Sequence, residues 1–333
     1  MAQKTTIEDV ARIAGVSIAT VSRALGKPDV VSRDTRDKVT AAIEQTGYTA
    51  NAMARNLRRQ KTRMIVVLVP NIGNPFFSEI LAGIEEVATA NGYNILIGNT
   101  DNDPVRENNF ANFVQGNQAD GLLLLNGRAP DGNGRAVKLP PLVVLCERIP
   151  DSELPTVRID NDLAAQDAIR HLIELGHRRI AQIAGPPVNI LTVDRSRGAA
   201  RTLQAAGLDA DVVVNGDFSI ASGAAAMREL LRRTEHPTAV FCSNDEMAMG
   251  AIQEIKAAGL TVPGDISVIG FDDLTFAEVY DPSLTTVHQP RRLIGETAMG
   301  VLVDILAGKP APTEPIVLGA ELRVRASTGP APV

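Results

Sequence analysis

Residues 6–25 read TIEDVARIAGVSIATVSRAL, and this stretch decides the fold of the N-terminal part of the chain. Thr6 offers a hydroxyl at a helix N-cap and Asp9 stands at the third helical position, which is the spacing of a capping box. Gly15 ends that helix, and Ser17 caps a second helix over residues 18–25. The stretch therefore predicts two helices joined by a tight turn, the helix-turn-helix arrangement.

A third helix is predicted to begin at Ser32 and to end before Gly47, so that residues 1–50 form an all-α headpiece. In a helix-turn-helix the second helix enters the major groove of DNA, and its outward side chains read the bases. Arg23 can pair with guanine through two hydrogen bonds, whereas Ile18 and Ala19 offer apolar contacts to thymine methyl groups. We expect the following residues at the DNA: Thr6, Ser17, Ile18, Ala19, Thr20, Ser22 and Arg23. A packing or protein-interaction module has the same helix spacing and stays the alternative.

The charges are unevenly distributed along the chain, whose net charge is -6. Residues 1–63 hold 12 Lys or Arg and 6 Asp or Glu, whereas the remaining 270 residues hold 21 and 33. The first part is therefore basic, at +6, and the rest is acidic, at -12. A basic segment on an acidic body suits a protein that meets nucleic-acid phosphates at one end only.

The sequence disfavours several classes of protein. Residues 1–10 lack the apolar core of a signal peptide, and no run reaches the roughly 18 apolar residues of a membrane span. Cys146 and Cys242 each stand beside an apolar run, which favours buried free thiols and a reducing compartment. There is no Gly-x-Ser-x-Gly elbow, Walker loop or clustered set of metal ligands. We therefore expect a cytoplasmic protein that is not an enzyme, does not enter a membrane, and needs neither metal nor cofactor.

From residue 64 onward, short apolar runs alternate with amphipathic stretches. Apolar strands that alternate with helices predict parallel sheets covered on both faces, and a pattern this long favours two α/β lobes. Ligands of such sheets bind outside the carboxyl ends of the strands. The predicted strands are residues 64–69, 93–97, 121–125, 142–145, 179–183, 212–214, 239–241 and 266–269. The predicted helices include residues 76–91, 163–175 and 221–233.

Motifs in both parts resemble the lactose-repressor family. In the headpiece they are residues 6–11 (TIEDVA), 15–17 (GVS), 20–23 (TVSR) and 47–48 (GY). In the body they are residues 74–77 (NPFF), 183–186 (IAGP), 243–245 (SND), 269–273 (IGFDD) and 284–290 (LTTVHQP). The likeness runs in the family's order over residues 5–327, and residues 74–79, 154–161 and 216–218 are most similar to the branch of the cytidine and ribose regulators.

The resemblance implies a transcriptional regulator, a repressor, whose two-lobed body is like the periplasmic sugar-binding proteins. The effector-binding domain would be residues 64–327, with a first lobe of 64–162 and 294–323, a second lobe of 163–293, and a tail of 328–333. It also implies a homodimer that binds a palindromic operator. A small polar ligand held between the lobes would control operator affinity.

Residues 51–63 would form a hinge helix and linker between headpiece and body. A helix over residues 51–58 has about two turns and is marginal in water without a partner. In the family, two hinge helices pack in the minor groove, and a leucine from each wedges into a base step, which by position is Leu57. Asn51, Ala54 and Arg55 fall at other hinge positions, and Ala50 stands where the family usually has proline.

The body also carries residues suited to a polyol ligand. Asp272 follows an apolar strand, and its carboxylate can accept hydrogen bonds from adjacent hydroxyl groups. Arg195 and Asn244 can donate hydrogen bonds, and Gln289 can donate and accept them. The resemblance places ligand-binding positions at Asn74, Phe76, Phe77, Arg195, Phe218, Asn244, Asp272 and Gln289. Asn126 and Arg128, which follow the predicted strand at residues 121–125, are further candidates.

Phe76, Phe77 and Phe218 could hold the face of a sugar or a base, in a chain with only 3% aromatic residues. Core packing for Phe76 or Phe77, and a helix-capping role for Asp272, are the structural alternatives. We expect a pentose, a nucleoside or another sugar as effector. The alternative function is a sugar- or nucleoside-binding protein of a transport system, which would share this body but carry a signal peptide in place of the basic headpiece.

Overall fold

The structure is a computed structural model that describes residues 5–26, 28–48, 62–128 and 140–332. The chain forms two compact units, Met1–Thr62 and Arg63–Val333. The helices of the first unit are α1 (Ile7–Ala14), α2 (Ile18–Gly26) and α3 (Arg33–Thr46), with a 3-10 turn at Pro28–Val30.

The predicted capping box at the start of α1 is confirmed. Thr6 Oγ1 accepts a hydrogen bond from the amide of Asp9 at 3.4 Å, and Asp9 Oδ2 accepts one from the amide of Thr6 at 3.1 Å. Gly15 ends α1 with a φ of 65°, a left-handed conformation that favours glycine. The turn between the two helices therefore follows from the residues that the sequence places there.

The core of the headpiece is small. Val10 and Val21 are fully buried and pack with Val39 and Ala42. Leu25, which the helical spacing predicts to face inward, is instead 39% exposed. It lies in the last turn of α2, beyond this cluster, where the chain leads into the 3-10 turn.

Within the described residues, the second unit contains two sheets that are covered by helices. The strands of the first sheet are β1 (Met64–Val69), β2 (Asn94–Asn99), β3 (Gly121–Leu124), β4 (Leu142–Leu145), β5 (Thr156–Ile159) and β11 (Ile316–Leu318). They are all parallel, in the order β11-β5-β4-β3-β1-β2. The helices of this lobe are α4 (Phe76–Ala90), α5 (Pro104–Phe113) and α11 (Arg291–Leu306), with a π-helical turn at Val114–Gln118.

The second sheet has the same architecture. Its strands are β6 (Ile180–Ala184), β7 (Val213–Asn215), β8 (Ala239–Cys242), β9 (Ser267–Asp272), β10 (Thr285–His288) and β12 (Glu321–Arg323). The order is β12-β10-β9-β8-β6-β7, and β12 alone pairs antiparallel in the described sheet. Its helices are α6 (Asn161–Glu174), α7 (Ile190–Ala205), α8 (Ile220–Leu231), α9 (Asp245–Ala257) and α10 (Thr275–Val279).

The last segment of the chain is divided differently from the prediction. The sequence analysis assigns residues 294–323 to the first lobe, yet β12 pairs with β10 in the second sheet. The chain crosses between the lobes after β11, so only β11 and the helix before it belong to the first lobe. The predicted tail also packs on the second lobe, where Thr328 Oγ1 lies 3.1 Å from His171 Nε2 and the Gly329 carbonyl lies 3.0 Å from His177 Nε2.

Candidate functional site

The outward side of α2 is the first candidate site. Ile18, Ala19, Ser22 and Arg23 are exposed, whereas Val21 on the same helix is fully buried. The outward orientation predicted for these four side chains is therefore confirmed, whereas the inward orientation predicted for Leu25 is wrong. It presents a guanidinium, a hydroxyl and two apolar side chains, a set that can read base edges in a major groove.

The hydroxyl groups near these residues are used within the headpiece. Thr6 caps α1, and Ser17 Oγ accepts a hydrogen bond from the amide of Thr20 at 3.1 Å. The structure thus gives them a capping role, and their contact with DNA stays a prediction. The predicted hinge residues lie outside the described residues: Asn51, Ala54, Arg55 and Leu57.

The second candidate site is a buried charged centre between the lobes, at the carboxyl ends of β9 and β10. Gln289 Nε2 donates a hydrogen bond to Asp272 Oδ1 at 2.7 Å, and a terminal nitrogen of Arg195 lies 3.8 Å from the same oxygen. Arg195 Nε also donates to Asn161 Oδ1 at 2.9 Å, and its guanidinium lies 3.6 Å from the centre of the Phe271 ring. Three of the predicted ligand residues are therefore brought together.

Burial governs the electrostatics of this centre. Burial raises the pKa of Asp272 to about 6, although the charges of Arg195 and Arg291 and the hydrogen bond from Gln289 act in the opposite direction. Burial also lowers the pKa of Arg195. Asp272 has a φ of 111°, an unfavourable conformation for a residue with a side chain, which the surrounding packing must hold in place.

The three predicted phenylalanines have different environments. Phe76 and Phe77 are buried in the core of the first lobe, with ring centres 5.1 Å apart in an edge-to-face arrangement. Phe218 is half-buried in the second lobe, and its ring packs so closely on Gly185 that a Cβ there would lie 2.2 Å from it. Core packing thus accounts for most of the surface of Phe76 and Phe77, whereas Phe218 lies against the loop that follows β6.

The three predicted asparagines all form hydrogen bonds within the protein. Asn74 Oδ1 accepts a hydrogen bond from the amide of Phe76 at 2.8 Å. Asn244 caps α9 and donates to the carbonyl of Phe218 at 2.9 Å. Asn126 donates to Glu107 Oε1 at 2.7 Å, but its own Oδ1 is buried without a hydrogen-bond partner in the part of the chain that the structure describes.

Sequence reasoning missed three further polar residues of this region. Glu147 is buried two residues after the end of β4 and accepts a hydrogen bond from Asn189 Nδ2 across the lobes at 3.3 Å. Burial raises the pKa of Glu147. Asn161 supports Arg195, and the buried hydroxyl of Thr192 has no partner among the described residues. The strand-end rule could have found Glu147, and Asn161 lies in the family-like stretch 154–161, whereas no sequence signal marks Thr192.

Three more observations concern the cysteines, possible metal ligands and possible membrane spans. Cys146 and Cys242 are buried free thiols, as predicted. Among the described residues, no group of three His, Cys, Asp or Glu side chains could hold a metal ion. No helix in the same residues is long and apolar enough to span a bilayer.

Known proteins share both parts of this architecture. Residues 6–51 match the family of bacterial regulatory proteins of the lacI type, and residues 169–328 match a periplasmic binding protein-like domain. The transcriptional repressor CytR of Escherichia coli K12 is 44% identical over 327 residues, which cover 97% of this chain and 96% of CytR.

Solved structures agree with this. A complex of the transcriptional regulator CelR with cellobiose has a TM-score of 0.74 at 34% identity, covering 97% of this chain and 99% of CelR. The Lac repressor dimer bound to operator and the anti-inducer ONPF has a TM-score of 0.89 at 28% identity, covering 98% of this chain and 100% of that one. The chain therefore belongs to the LacI family, and it is a DNA-binding transcriptional regulator that responds to a small-molecule effector.

Proposed function

We propose that this regulator binds a pentose or a nucleoside between its lobes and that the ligand controls its affinity for a palindromic operator. The observation that carries the proposal is the buried centre of Asp272, Arg195 and Gln289. The carboxylate accepts hydrogen bonds and the guanidinium donates them. Both therefore suit a neutral ligand with adjacent hydroxyl groups, because a hydroxyl group can donate a hydrogen bond and accept one. A pentose, alone or in a nucleoside, has this chemistry.

Two buried polar atoms without partners support a ligand in the same region. Asn126 Oδ1 can only accept a hydrogen bond, and Thr192 Oγ1 can accept or donate one. Buried polar atoms are rarely left without partners in folded proteins, because the loss costs about 1–3 kcal/mol each. The ring of Phe218 adds an apolar surface on which a base or a sugar face can pack.

The exposed residues of α2 support sequence-specific binding of DNA. A palindromic operator presents two identical half-sites, so we propose a homodimer with one headpiece on each. CytR and the Lac repressor are named as repressors, and we propose repression in the cytoplasm as the activity of this chain. The hinge role of Leu57 is part of the same proposal.

A thermal-shift screen tests the effector class. The purified protein is measured with pentoses, hexoses, nucleosides and nucleobases, because a ligand that binds only the folded state raises the melting temperature. We expect ribose or a nucleoside to raise it, and the same compound to change the affinity for operator DNA. Stabilisation by hexoses alone would overturn the pentose assignment, and the absence of any shift would overturn the polyol site.

Effector affinity should fall in mildly acidic solution. Because the pKa of Asp272 is about 6, the carboxylate is ionised at neutral pH and becomes protonated as the pH falls. If only the ionised form accepts the ligand hydroxyls, the association constant should drop about 10-fold between roughly pH 7.5 and pH 5. Titration with ribose, which does not ionise in this range, measures this. A constant affinity would show that the ligand does not use the Asp272 carboxylate.

A further inference from the structure

A second cavity lies beside the segment that joins β5 to α6, away from the charged centre of the effector site. Its volume of about 410 Å³ is within the range of small-molecule pockets. Its lining is almost entirely polar and comes from both lobes: Arg148, Arg158, Asp160, Asp162, Leu163, Gln166, Asp194, Arg197 and Arg201. We call it the arginine cavity.

The arginine cavity and the effector site use different sides of α7. Asp194, Arg197 and Arg201 are spaced by three and four residues, which places them on one side of the helix. Arg195, about 100° further round the helix, reaches Asp272 instead. The residues that line the arginine cavity are therefore separate from the effector-binding centre.

Three carboxylates line this cavity, and two of them, Asp162 and Asp194, are already satisfied. Asp160 is exposed and accepts a hydrogen bond from the amide of Leu163 at 3.0 Å. Asp194 accepts two hydrogen bonds from Arg148 at 2.9 and 3.0 Å and pairs with Arg197 at 3.0 Å. Asp162 accepts hydrogen bonds from Gln166 at 2.7 Å and from Arg197 at 2.6 Å, and a further one from Arg201. Asp162 and Asp194 thus have little capacity left to bind a cation, and they hold Arg148, Arg197 and Arg201 in place.

The guanidinium groups, in contrast, keep unused donors. Each has five N–H groups, and the hydrogen bonds and ion pairs between described residues use at most two on each of the four arginines. Arg158 makes one such bond, to the carbonyl of Ile159 at 3.0 Å. The side chains of Arg197 and Arg201 are 52% and 61% exposed, so a ligand can reach them. The cavity therefore has more unused donors than unused acceptors, with four arginines against three carboxylates.

We propose that the arginine cavity is a second small-molecule site, which takes a compact dianion such as a phosphomonoester. Planar guanidinium groups bind phosphate oxygens through paired hydrogen bonds, and Arg is the residue best suited to this contact. The cavity also spans the lobes, since Arg148 belongs to the first and Arg197 and Arg201 to the second. A bound dianion therefore stabilises this arrangement of the lobes and changes the affinity for the effector. Because such coupling is reciprocal, the effector changes the affinity for the dianion by the same factor.

Isothermal titration with inorganic phosphate tests the proposal, with chloride added to keep the ionic strength constant. We expect the wild-type protein to bind phosphate and the double variant Arg158→Ala/Arg201→Ala to bind it at least about 10-fold more weakly. Arg228→Ala is the matched control, because Arg228 is 52% exposed and paired with Glu254 but lies outside the cavity. Arg201→Lys, which keeps the charge but loses the planar group, should bind phosphate with intermediate affinity.

The outcomes separate this site from the effector site. Phosphate should bind the Asp272→Ala variant with unchanged affinity, so the arginine cavity can be confirmed even if the polyol assignment fails. Titration of ribose 5-phosphate into the Asp272→Ala variant, with and without Arg158→Ala/Arg201→Ala, should show that the cavity binds a phosphomonoester through these two arginines. The absence of binding at 10 mM phosphate, or equal affinity in the double variant and in Arg228→Ala, would overturn the proposal.

Discussion

Replacing Asp272 by Asn should abolish the response to the effector while leaving DNA binding by the free protein intact. The substitution preserves the shape of the side chain but removes its charge and places an amide N–H₂ near the donors of Gln289 and Arg195. Each hydrogen bond from a ligand hydroxyl to a charged group contributes about 1.5–3 kcal/mol. Loss of two such bonds should weaken effector binding by roughly 100-fold or more.

The measurement is effector affinity by calorimetry, together with operator affinity in the absence and presence of the compound found in the thermal-shift screen. Asp281→Asn is the matched control, since Asp281 is 94% exposed and pairs with Lys256 on the surface. It should bind the effector like the wild type. An Asp272→Asn variant that keeps wild-type effector affinity would remove Asp272 from the site and leave its hydrogen bond with Gln289 as a structural contact.

The sequence predicted the parts of the fold that depend on local chemistry. The capping box of Thr6 and Asp9 and the glycine end of α1 appear in the structure as the spacing requires. Each predicted apolar run overlaps a strand. Six of these strands are buried along most of their length, which requires a continuous apolar pattern, whereas β2 and β7 are partly exposed. Asp272 followed from the same reasoning, since ligands bind outside the carboxyl ends of parallel strands. Gln289 was placed by the family resemblance alone, because its strand β10 was not predicted.

Four strands were not predicted from the sequence, namely β5, β10, β11 and β12, and each departs from the apolar pattern for a physical reason. β10 is fully buried at Thr285 and Thr286, whose hydroxyls find partners in Arg325 and Asp245, so its sequence looks polar. β5 alternates buried and half-buried residues, and β11 and β12 are three-residue strands at the edges of their sheets. Such strands lack a continuous apolar run.

The unpredicted parts of the two candidate ligand sites depend on contacts between distant residues. Arg148 and Asp194 are 46 residues apart and meet only because the lobes face each other. Asn161 reaches Arg195 from the start of α6, immediately after the chain crosses between the lobes. No periodicity or motif encodes such contacts, and the three-dimensional arrangement of the lobes was needed to find them.

Replacing Arg23 by Ala should weaken binding to the operator by roughly 10- to 100-fold. A bidentate contact between an arginine and guanine is worth about 1–3 kcal/mol of discrimination against other bases. Arg23 is exposed on α2, so its removal leaves the buried contacts of Val21 and the capping box of α1 unchanged. The loss should therefore be one of recognition, without a loss of headpiece stability.

A palindromic duplex selected from a random library by the wild-type protein provides the DNA for this test. Fluorescence anisotropy should show that Arg23→Ala no longer distinguishes the guanine that Arg23 reads, while its binding to random DNA keeps nearly the same dependence on salt. Arg233→Ala, an exposed arginine of the α/β body, is the matched control and should behave like the wild type. If Arg23→Ala keeps both its affinity and its base preference, α2 does not read DNA through Arg23, and base recognition must come from its apolar residues or from other parts of the chain.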